Sequence, residues 1–295
     1  MRISVVVPIY NEERHIEGCV EALLAQNYPS EEFEIIMVDN NSTDRSAEIV
    51  RRYPRVTLLS ETTQGDFASR NRGLRAATGE VIAFTDSDTA PAPDWLTNIG
   101  RVMADPEVGV IVGRLQFAPG SRLLSMMEAY EAEKAAYIFS SDCAEIYFGY
   151  TCNMVVRKAL FDRLGPFAPV QRNSDVVFVR RAVDEYSCAV AVYGSDVRVR
   201  RLEIPSFRAY LGKQIIYGRD FPRYAKISAA RPLDSRERLQ VFRRTVRQQG
   251  YSPLQAALLL SLLVAGALAY DGARWLRTWD PRRDGSGPRV DSRSG

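Results

Sequence analysis

The first ninety residues alternate short apolar runs with segments whose apolar residues recur at helical spacing. Residues 3–9 form a continuous β-branched run, typical of a strand buried on both faces, and Ile16, Cys19, Val20 and Leu23 follow at helical spacing. Further strands are predicted at 34–39, 56–59 and 81–84, with helices at about 47–53 and 67–77. Four such steps predict an α/β fold with a mostly parallel, Rossmann-like sheet flanked by helices.

The second half continues the pattern less regularly. Pro91 and Pro93 are expected to interrupt regular structure in the segment APAPDWL. Strands are then predicted at 108–115 and 150–156, and helices at 123–139, 158–164 and 176–183. No repeat with a period of 20 to 50 residues is visible, so a solenoid is excluded.

Polar residues stand at the ends of three predicted strands. They are Tyr10, Asn11 and Glu12, then Asp39, Asn40 and Asn41, and finally Asp86 and Asp88. In parallel sheets ligands bind beyond the carboxyl ends of the strands, so we expect these groups to meet on one rim. Taken singly, Asn41, Ser42 and Asp44 are equally well interpreted as turn residues or as N-caps of the second helix.

The pair Asp86 and Asp88 predicts a divalent metal site for Mn²⁺ or Mg²⁺. Two carboxylates two residues apart, on a turn after a buried strand, can both approach a hard cation that also binds phosphate oxygens. An isolated Asp-x-Asp pair would indicate little, but its place at a strand end strengthens the interpretation.

Composition excludes several classes of protein. A net charge of +3, with no zinc-finger or arginine-rich cluster, does not indicate nucleic-acid binding. The four cysteines form no Cys-x-x-Cys pair, which is compatible with a reducing cytosol. The apolar N-terminal run is too short for a signal peptide and is expected to be a strand.

Five segments in order resemble the family 2 glycosyltransferases, and together they cover about two-thirds of the chain. They are VVVPIYNEE at 5–13, VDNNSTD at 38–44, GDFASRNRGL at 65–74, GEVIAFTDSD at 79–88 and the stretch 149–180. The resemblance implies the A-type (GT-A) nucleotide-sugar fold, a nucleoside diphosphate sugar as donor, and inversion at the anomeric carbon.

The resemblance also implies roles for single residues on the donor side. Four positions would surround the base and ribose: Pro8, Tyr10, Glu12 and Asp39, the last accepting a hydrogen bond from the base. Arg70 would contact the nucleotide, Asp86 would face the ribose or sugar, and Asp88 would be the principal metal ligand.

The catalytic base of the family is the second acid of a Glu-Asp pair, and the matching positions here are Ser174 and Asp175. Inverting transfer needs a carboxylate that takes the proton of the acceptor hydroxyl, and Asp175 is the residue expected to do so. It would also cap the helix 176–183. Ser174 departs from the family pattern and bears on acceptor recognition.

Many relatives complete the metal site with a histidine on a later strand. The corresponding stretch, 197–206, offers Arg200 and Arg201 instead, and the only histidine, His15, is expected at the surface of the first helix. We therefore expect a metal held by carboxylate, diphosphate and water, with Arg201 adding positive charge near the leaving group.

The C-terminal third predicts contact with a membrane. Twenty residues, 251–270, carry no charge, which is about the length that spans a bilayer, although a core or dimer helix is the alternative. Between 219 and 247 nine basic residues stand against three acids, a composition attracted to anionic lipid on the cytosolic leaflet. Residues 281–295 are expected to be disordered.

These observations predict five parts. They are a nucleotide-sugar-binding half at 1–100, an acceptor and catalytic-base half at 101–210, basic interfacial helices at 211–250, a membrane-associated or transmembrane helix at 251–275, and a disordered tail at 276–295. The predicted function is sugar transfer, with uridine as base, to a hydroxyl of a glycan, glycolipid or lipid-linked acceptor at the cytoplasmic face of the cell membrane.

Other functions fit the residues less well. The segment after the first strand has no glycine, which argues against a sugar-phosphate nucleotidyltransferase, and GxGxxG is absent, which argues against a dinucleotide-dependent oxidoreductase. A catalytically degenerate donor-binding or scaffold protein stays open because of Ser174 and the missing histidine. Gln214 matches part of a Gln-x-x-Arg-Trp motif of processive members, but the Arg-Trp pair is absent, which favours transfer of single sugars.

Overall fold

The computed structural model describes residues 1–169, 173–228 and 230–278. Its strands are β1 (Ile3–Ile9), β2 (Phe33–Asp39), β3 (Val56–Ser60), β4 (Val81–Thr85), β5 (Thr89–Pro91), β6 (Val110–Gln116), β7 (Asn153–Arg157) and β8 (Ala191–Arg201). Its helices are α1 (Ile16–Leu24), α2 (Ser46–Val50), α3 (Asp66–Ala76), α4 (Trp95–Val102), α5 (Arg122–Phe139), α6 (Lys158–Leu164), α7 (Ser174–Glu185), α8 (Phe207–Ser228), α9 (Ser235–Gln248) and α10 (Pro253–Thr278).

The described strands form one sheet in the order β3-β2-β1-β4-β7-β6-β8-β5. The neighbours β3, β2, β1 and β4 are parallel, as the βα alternation predicts. β7 enters antiparallel between β4 and β6, whereas β8 returns parallel to β6. The sheet is therefore mixed, with most of its parallel pairs in the first half of the chain. The prediction of an α/β fold is confirmed.

Burial explains the continuous apolar runs. The β1 residues Val5, Val6 and Val7 are each 0% exposed, with Val6 in one core layer and Val5 and Val7 in the other. Both faces of the strand are thus covered, and the run cannot alternate with polar residues. In the parallel register Ile9 lies beside Asp39, so the carboxyl ends of β1 and β2 reach the same edge.

The segment APAPDWL is more regular than expected. Pro91 ends the short strand β5, and α4 begins at Trp95, directly after the predicted break. The indole of Trp95 is fully buried and donates to Asn153 Oδ1 at 2.9 Å, which holds α4 against β7. The prolines are tolerated because β5 is an edge strand and Pro93 precedes the helix.

The predicted capping of the second helix is only partly correct. Asp44 accepts from the backbone N–H of Ser46, the first helical residue, at 3.0 Å, but Arg45 occupies the cap position without a side-chain bond. Ser42 instead accepts from the N–H of Asn11 at 3.1 Å. Its hydroxyl therefore ties the loop after β2 to the loop after β1.

The C-terminal helices α9 and α10 pack on the preceding helices, α9 against α5 and α10 against α8 and α5. In the described part of the chain, α10 contains the single segment (residues 253–276) long and apolar enough to cross a bilayer, and only 17% of its most apolar window is buried. A Cβ on Gly218 of α8 would lie 2.1 Å from the carbonyl oxygen of Tyr270 in α10, so these two helices cross in close contact. Residues 279–295, most of the predicted tail, lie outside the described residues.

Candidate active site

A tight turn after β4 presents Asp86 and Asp88. The backbone oxygen of Asp86 accepts from the hydroxyl of Thr89 at 2.6 Å, and the Thr85 hydroxyl binds that of Thr89 at 2.7 Å. Both threonines are fully buried. The turn is thereby fixed from inside the sheet, and the two carboxylates are held at the edge where ligands bind in this topology.

Arg70, near the start of α3, links the donor-side groups. Its guanidinium is buried and donates to Asp86 Oδ1 at 2.8 Å, with Asp66 3.9 Å away. Burial raises the pKa of Asp175, on a helix more than a hundred residues later in the chain, and the charge of Arg70 opposes that rise. One buried cation therefore lies within electrostatic reach of two predicted site carboxylates.

Asp88 lies in a strongly negative environment. Burial, with Asp86 and Glu203 nearby, raises the pKa of Asp88 to about 7. A carboxyl group that resists ionisation for want of a counter-charge is suited to a divalent cation, which supplies that charge. Among the described residues no three His, Cys, Asp or Glu side chains converge as a metal site. Asp86 and Asp88 offer carboxylate oxygens, the kind of donor that Mn²⁺ and Mg²⁺ bind.

Asp175 is the second residue of α7. Its Oδ2 accepts from the backbone N–H of Thr151 at 3.0 Å, and its Oδ1 accepts from that of Val176 at 2.9 Å. Burial raises the pKa of Asp175, while Arg70 and these two amides oppose the shift. The predicted cap is wrong: α7 begins at Ser174 after the cap residue Asn173, so Asp175 lies inside the first turn, where these amides hold its carboxylate in one orientation.

A cavity of about 520 Å³, the active-site cavity, brings four of the predicted residues together. Those four are Arg70, Asp86, Asp88 and Asp175. Ser174 also lines it and is buried. The cavity is closed on one side by Gln214 of α8 and Tyr270 of α10, so the C-terminal helices contribute to its wall.

The predicted base and ribose residues lie outside the lining of this cavity. Pro8 and Tyr10 sit at the carboxyl end of β1, and Tyr10 is 51% exposed. Glu12 is close enough to Asp88 to raise its pKa. Asp39 ends β2, and its buried Oδ1 has no hydrogen-bond partner among the described residues, which leaves an acceptor free for a ligand donor.

The structure adds three residues, Glu203, Lys213 and Tyr217, around Arg201, which the sequence predicted near the leaving group. Arg201 forms an ion pair with Glu203 and donates to the hydroxyl of Tyr217 at 3.1 Å, while Lys213 lies 3.5 Å from the same carboxylate. Arg201, Lys213 and Tyr217 line the cavity. Arg201 lies in the stretch 197–206, where the family resemblance leads to the expectation of a histidine, and it places a positive charge there. The only histidine, His15, lies 2.9 Å from Glu12 and is half-buried.

A parallel half-sheet with acidic strand ends, joined to a second half that supplies a carboxylate on a helix, defines a GT-A type glycosyltransferase fold. The family model for glycosyl transferase family 2 matches residues 4–165. The chain belongs to that family, and the resemblance inferred from its five segments is confirmed.

Relatives and solved structures agree with this assignment. The glycosyltransferase AglE of Haloferax volcanii is 29% identical over 189 residues, covering 62% of this chain and 61% of AglE. The chain thus matches under two-thirds of that relative's length. The mannosyltransferase PcManGT of Pyrobaculum calidifontis, solved with GDP-Man and Mn²⁺, is 25% identical with a TM-score of 0.63, covering 94% and 83% of the two chains. TarS 1-349 of S. aureus, solved with UDP, shares the fold at 19% identity and a TM-score of 0.54, covering 96% and 93%.

Proposed function

We propose that this chain transfers a sugar from a UDP-sugar to an acceptor hydroxyl with inversion at the anomeric carbon. The proposal rests on one observation: Asp86, Asp88 and Asp175 line the same cavity. The positive charge of Arg70 interacts there with both Asp86 and Asp175. Such transfer needs groups for a diphosphate and a separate base for a hydroxyl. The cavity supplies both kinds of group.

Donor binding would use the edge formed by the ends of β1, β2 and β4. The free Oδ1 of Asp39 would accept from the base, beside Pro8, Tyr10 and Glu12. Arg70 would bind the nucleotide. The complexes of PcManGT with GDP-Man and of TarS with UDP support a nucleoside diphosphate donor, and uridine is the base we propose.

Asp88, with Asp86, would hold the divalent cation, Mn²⁺ or Mg²⁺, as the Mn²⁺ in the PcManGT structure supports. When bound, the cation neutralises the charge that develops on the departing diphosphate. Arg201 would add a fixed positive charge on the same side of the cavity. The carboxylates of this chain would otherwise repel the diphosphate.

Asp175 would act as the general base. As the acceptor oxygen attacks the anomeric carbon, its proton passes to a carboxylate oxygen of Asp175, and the bond from that carbon to the diphosphate breaks. The amides of Thr151 and Val176 keep this carboxylate oriented before the acceptor arrives. Pre-orientation of this kind lowers the barrier because little reorganisation is needed.

We propose that the acceptor is a glycan, glycolipid or lipid-linked sugar at the cytoplasmic face of the membrane. The exposed apolar surface of α10 and the basic residues before it support a membrane location. Residues 1–100 would bind the donor, 101–210 the acceptor, and the helices from 211 onward the lipid surface. Single transfers are proposed because the Arg-Trp pair of processive members is absent.

A thermal-shift series with UDP, GDP and their sugars, each with and without Mn²⁺, tests the donor site. UDP with Mn²⁺ should raise Tm in the wild type, since a ligand that binds only the folded state stabilises it. Asp88→Ala should lose the Mn²⁺-dependent part, whereas Asp162→Ala, at an exposed position on α6, should keep it. An unchanged Mn²⁺ effect in Asp88→Ala would refute the metal assignment, and donor binding without any turnover would favour a degenerate binding protein.

A further inference from the structure

A second cavity adjoins the active-site cavity and is lined mainly by apolar side chains. This apolar cavity measures about 630 Å³ and lies between α5, α9 and α10. Its wall includes Met127 of α5, Phe242 of α9 and Leu263 of α10. Its size is within the range of pockets that hold small ligands.

The two cavities share a wall beside the proposed base. Val176, whose N–H binds Asp175, lines both, as do Phe148 and Tyr270. Glu131 and Lys134 lie at the same junction, where they form an ion pair with each other. An occupant could therefore place a polar group near Asp175 and extend away from it into apolar surroundings.

The apolar cavity also reaches the molecular surface, because several of its lining residues are exposed. Leu239, Leu260 and Val264 line the cavity and are 45%, 50% and 50% exposed. They continue onto the exposed apolar surface of α10, where Leu268 is 70% exposed. Exposed apolar surface of this kind is typical of a membrane contact.

We infer that the apolar cavity holds the hydrocarbon chain of a lipid-linked acceptor, with the acceptor hydroxyl at Asp175 and the chain leaving toward the bilayer beside Leu260 and Val264. This inference rests on the proposed function and narrows its acceptor class to lipid-linked molecules. A soluble glycan would leave the cavity wall uncovered. An apolar chain covers it, with a favourable free energy for each methylene removed from water.

The test uses the full chain in phosphatidylcholine vesicles and an alkyl β-glucoside with a diazirine at the end of its chain. Photolabelled peptides, identified by mass spectrometry, should map to the apolar cavity, including the α9 and α10 segments around Leu239 and Leu263. Ala267→Trp fills the cavity and should lower this labelling about tenfold, which corresponds to about 1.4 kcal/mol. Leu268→Trp, at the next position but outside the cavity lining, should leave it unchanged.

The thermal shift with UDP and Mn²⁺, measured on the same variants, separates this inference from the proposed function. If Ala267→Trp keeps the thermal shift with UDP and Mn²⁺, the variant is folded. If the shift is lost, Val264→Trp is used in place of Ala267→Trp, because Val264 is half exposed. Equal labelling in the two tryptophan variants, or equal labelling of the cavity by a diazirine phosphatidylcholine, would overturn the acceptor-chain assignment alone. A wild type that labels as expected but shows no shift with UDP would overturn the proposed function, and the acceptor assignment with it.

Discussion

Arg70 is the residue on which the electrostatics of the candidate site depend. A buried guanidinium is costly to desolvate and is stable only when carboxylates compensate its charge. Asp86 does so through a 2.8 Å hydrogen bond, and Asp175 does so at longer range. In return Arg70 favours the ionised form of Asp175, which is the form that accepts a proton.

Asp175→Asn should keep donor affinity and lower kcat about 10²- to 10⁴-fold, because the amide keeps the size of the carboxylate but cannot take the acceptor's proton. Turnover with a saturating UDP-sugar and a lipid-linked acceptor gives kcat, and the UDP thermal shift gives donor binding.

Asp162→Asn is the control for this prediction, because Asp162 is exposed on α6. Asp184, further along α7, is less suitable since it forms an ion pair with the buried Arg180. Near-normal turnover in Asp175→Asn would reject the base assignment and leave Glu203 as the carboxylate to examine. An effect confined to the donor KM would instead place Asp175 in the nucleotide site.

The pH dependence of the activity should also show the ionisation of Asp175. Burial raises the pKa of Asp175, so activity should fall as pH is lowered through a value above the ordinary aspartate pKa of about 4. Activity falls at low pH because only the ionised carboxylate of Asp175 can accept a proton, and protonation removes that form. With donor and Mn²⁺ both saturating, so that the cation keeps Asp88 ionised, a pH profile of kcat measures the acid limb of Asp175, and the residual activity of Asp175→Asn should lack it. An acid limb that persists unchanged in that variant contradicts the assignment.

At the scale of elements, the crossing of α8 and α10 joins the C-terminal helices to the catalytic body. Gly218 permits it, since any side chain there would meet the backbone of Tyr270. Tyr270 in turn lines the active-site cavity. Helix α10 and the cavity are thus parts of one packed unit, and a change in the crossing of α8 and α10 should alter the cavity wall.

Gly218→Ala should therefore destabilise the protein by about 1 to 3 kcal/mol, the usual cost of overpacking a well-packed contact. Gly212→Ala in the same helix meets nothing within 4 Å and should be neutral or stabilising, by up to about 1 kcal/mol. Unfolding of both variants in the same detergent, followed by circular dichroism, measures the difference. Equal stability of the two would show that the helices do not pack as closely as described.

At the scale of the whole molecule, apolar surface is concentrated on the last helix. Leu254, Leu268 and Leu276 of α10 are 82%, 70% and 64% exposed. Large exposed apolar patches are uncommon in soluble monomers and mark contact with another apolar phase. α10 also packs against α8 and α5, and its exposed leucines are the part of the helix that the proposed membrane contact would use.

Replacing Leu254, Leu268 and Leu276 together with Gln should release the protein from anionic vesicles. Each buried leucine contributes on the order of 1.5 to 3 kcal/mol, so the partition coefficient should fall at least about tenfold. The remaining binding should weaken further with salt, since it then depends on basic residues. Co-sedimentation with vesicles measures both effects. Tyr186→Gln, an exposed position after α7, is the control, and unchanged binding of the triple variant would reject α10 as the membrane contact.

Most local elements of the first half and the family were predictable from the order of residues alone. Strand β1 and helix α6 were predicted with their observed ends. A strand buried on both faces has a continuous apolar run, and a helix has apolar residues at helical spacing, so both are visible in the sequence. Asp86 and Asp88 were predicted together because they are neighbours in sequence at a strand end. The strand β5 and helix α4 were missed because Pro91 and Pro93 signal a break whether or not an edge strand and a new helix surround them.

Which distant groups share a cavity depends on long-range packing and was not predictable from local patterns. Asp175 interacts electrostatically with Arg70 because β7 lies antiparallel beside β4, which brings the second half of the chain against the first. No local sequence pattern specifies this strand order. The wall formed by Gln214 and Tyr270 depends on a helix crossing set by shape complementarity at Gly218. The periodicity of apolar residues shows which face of a segment is buried. Long-range packing decides which other element covers that face, and therefore which cavity lies between the two elements.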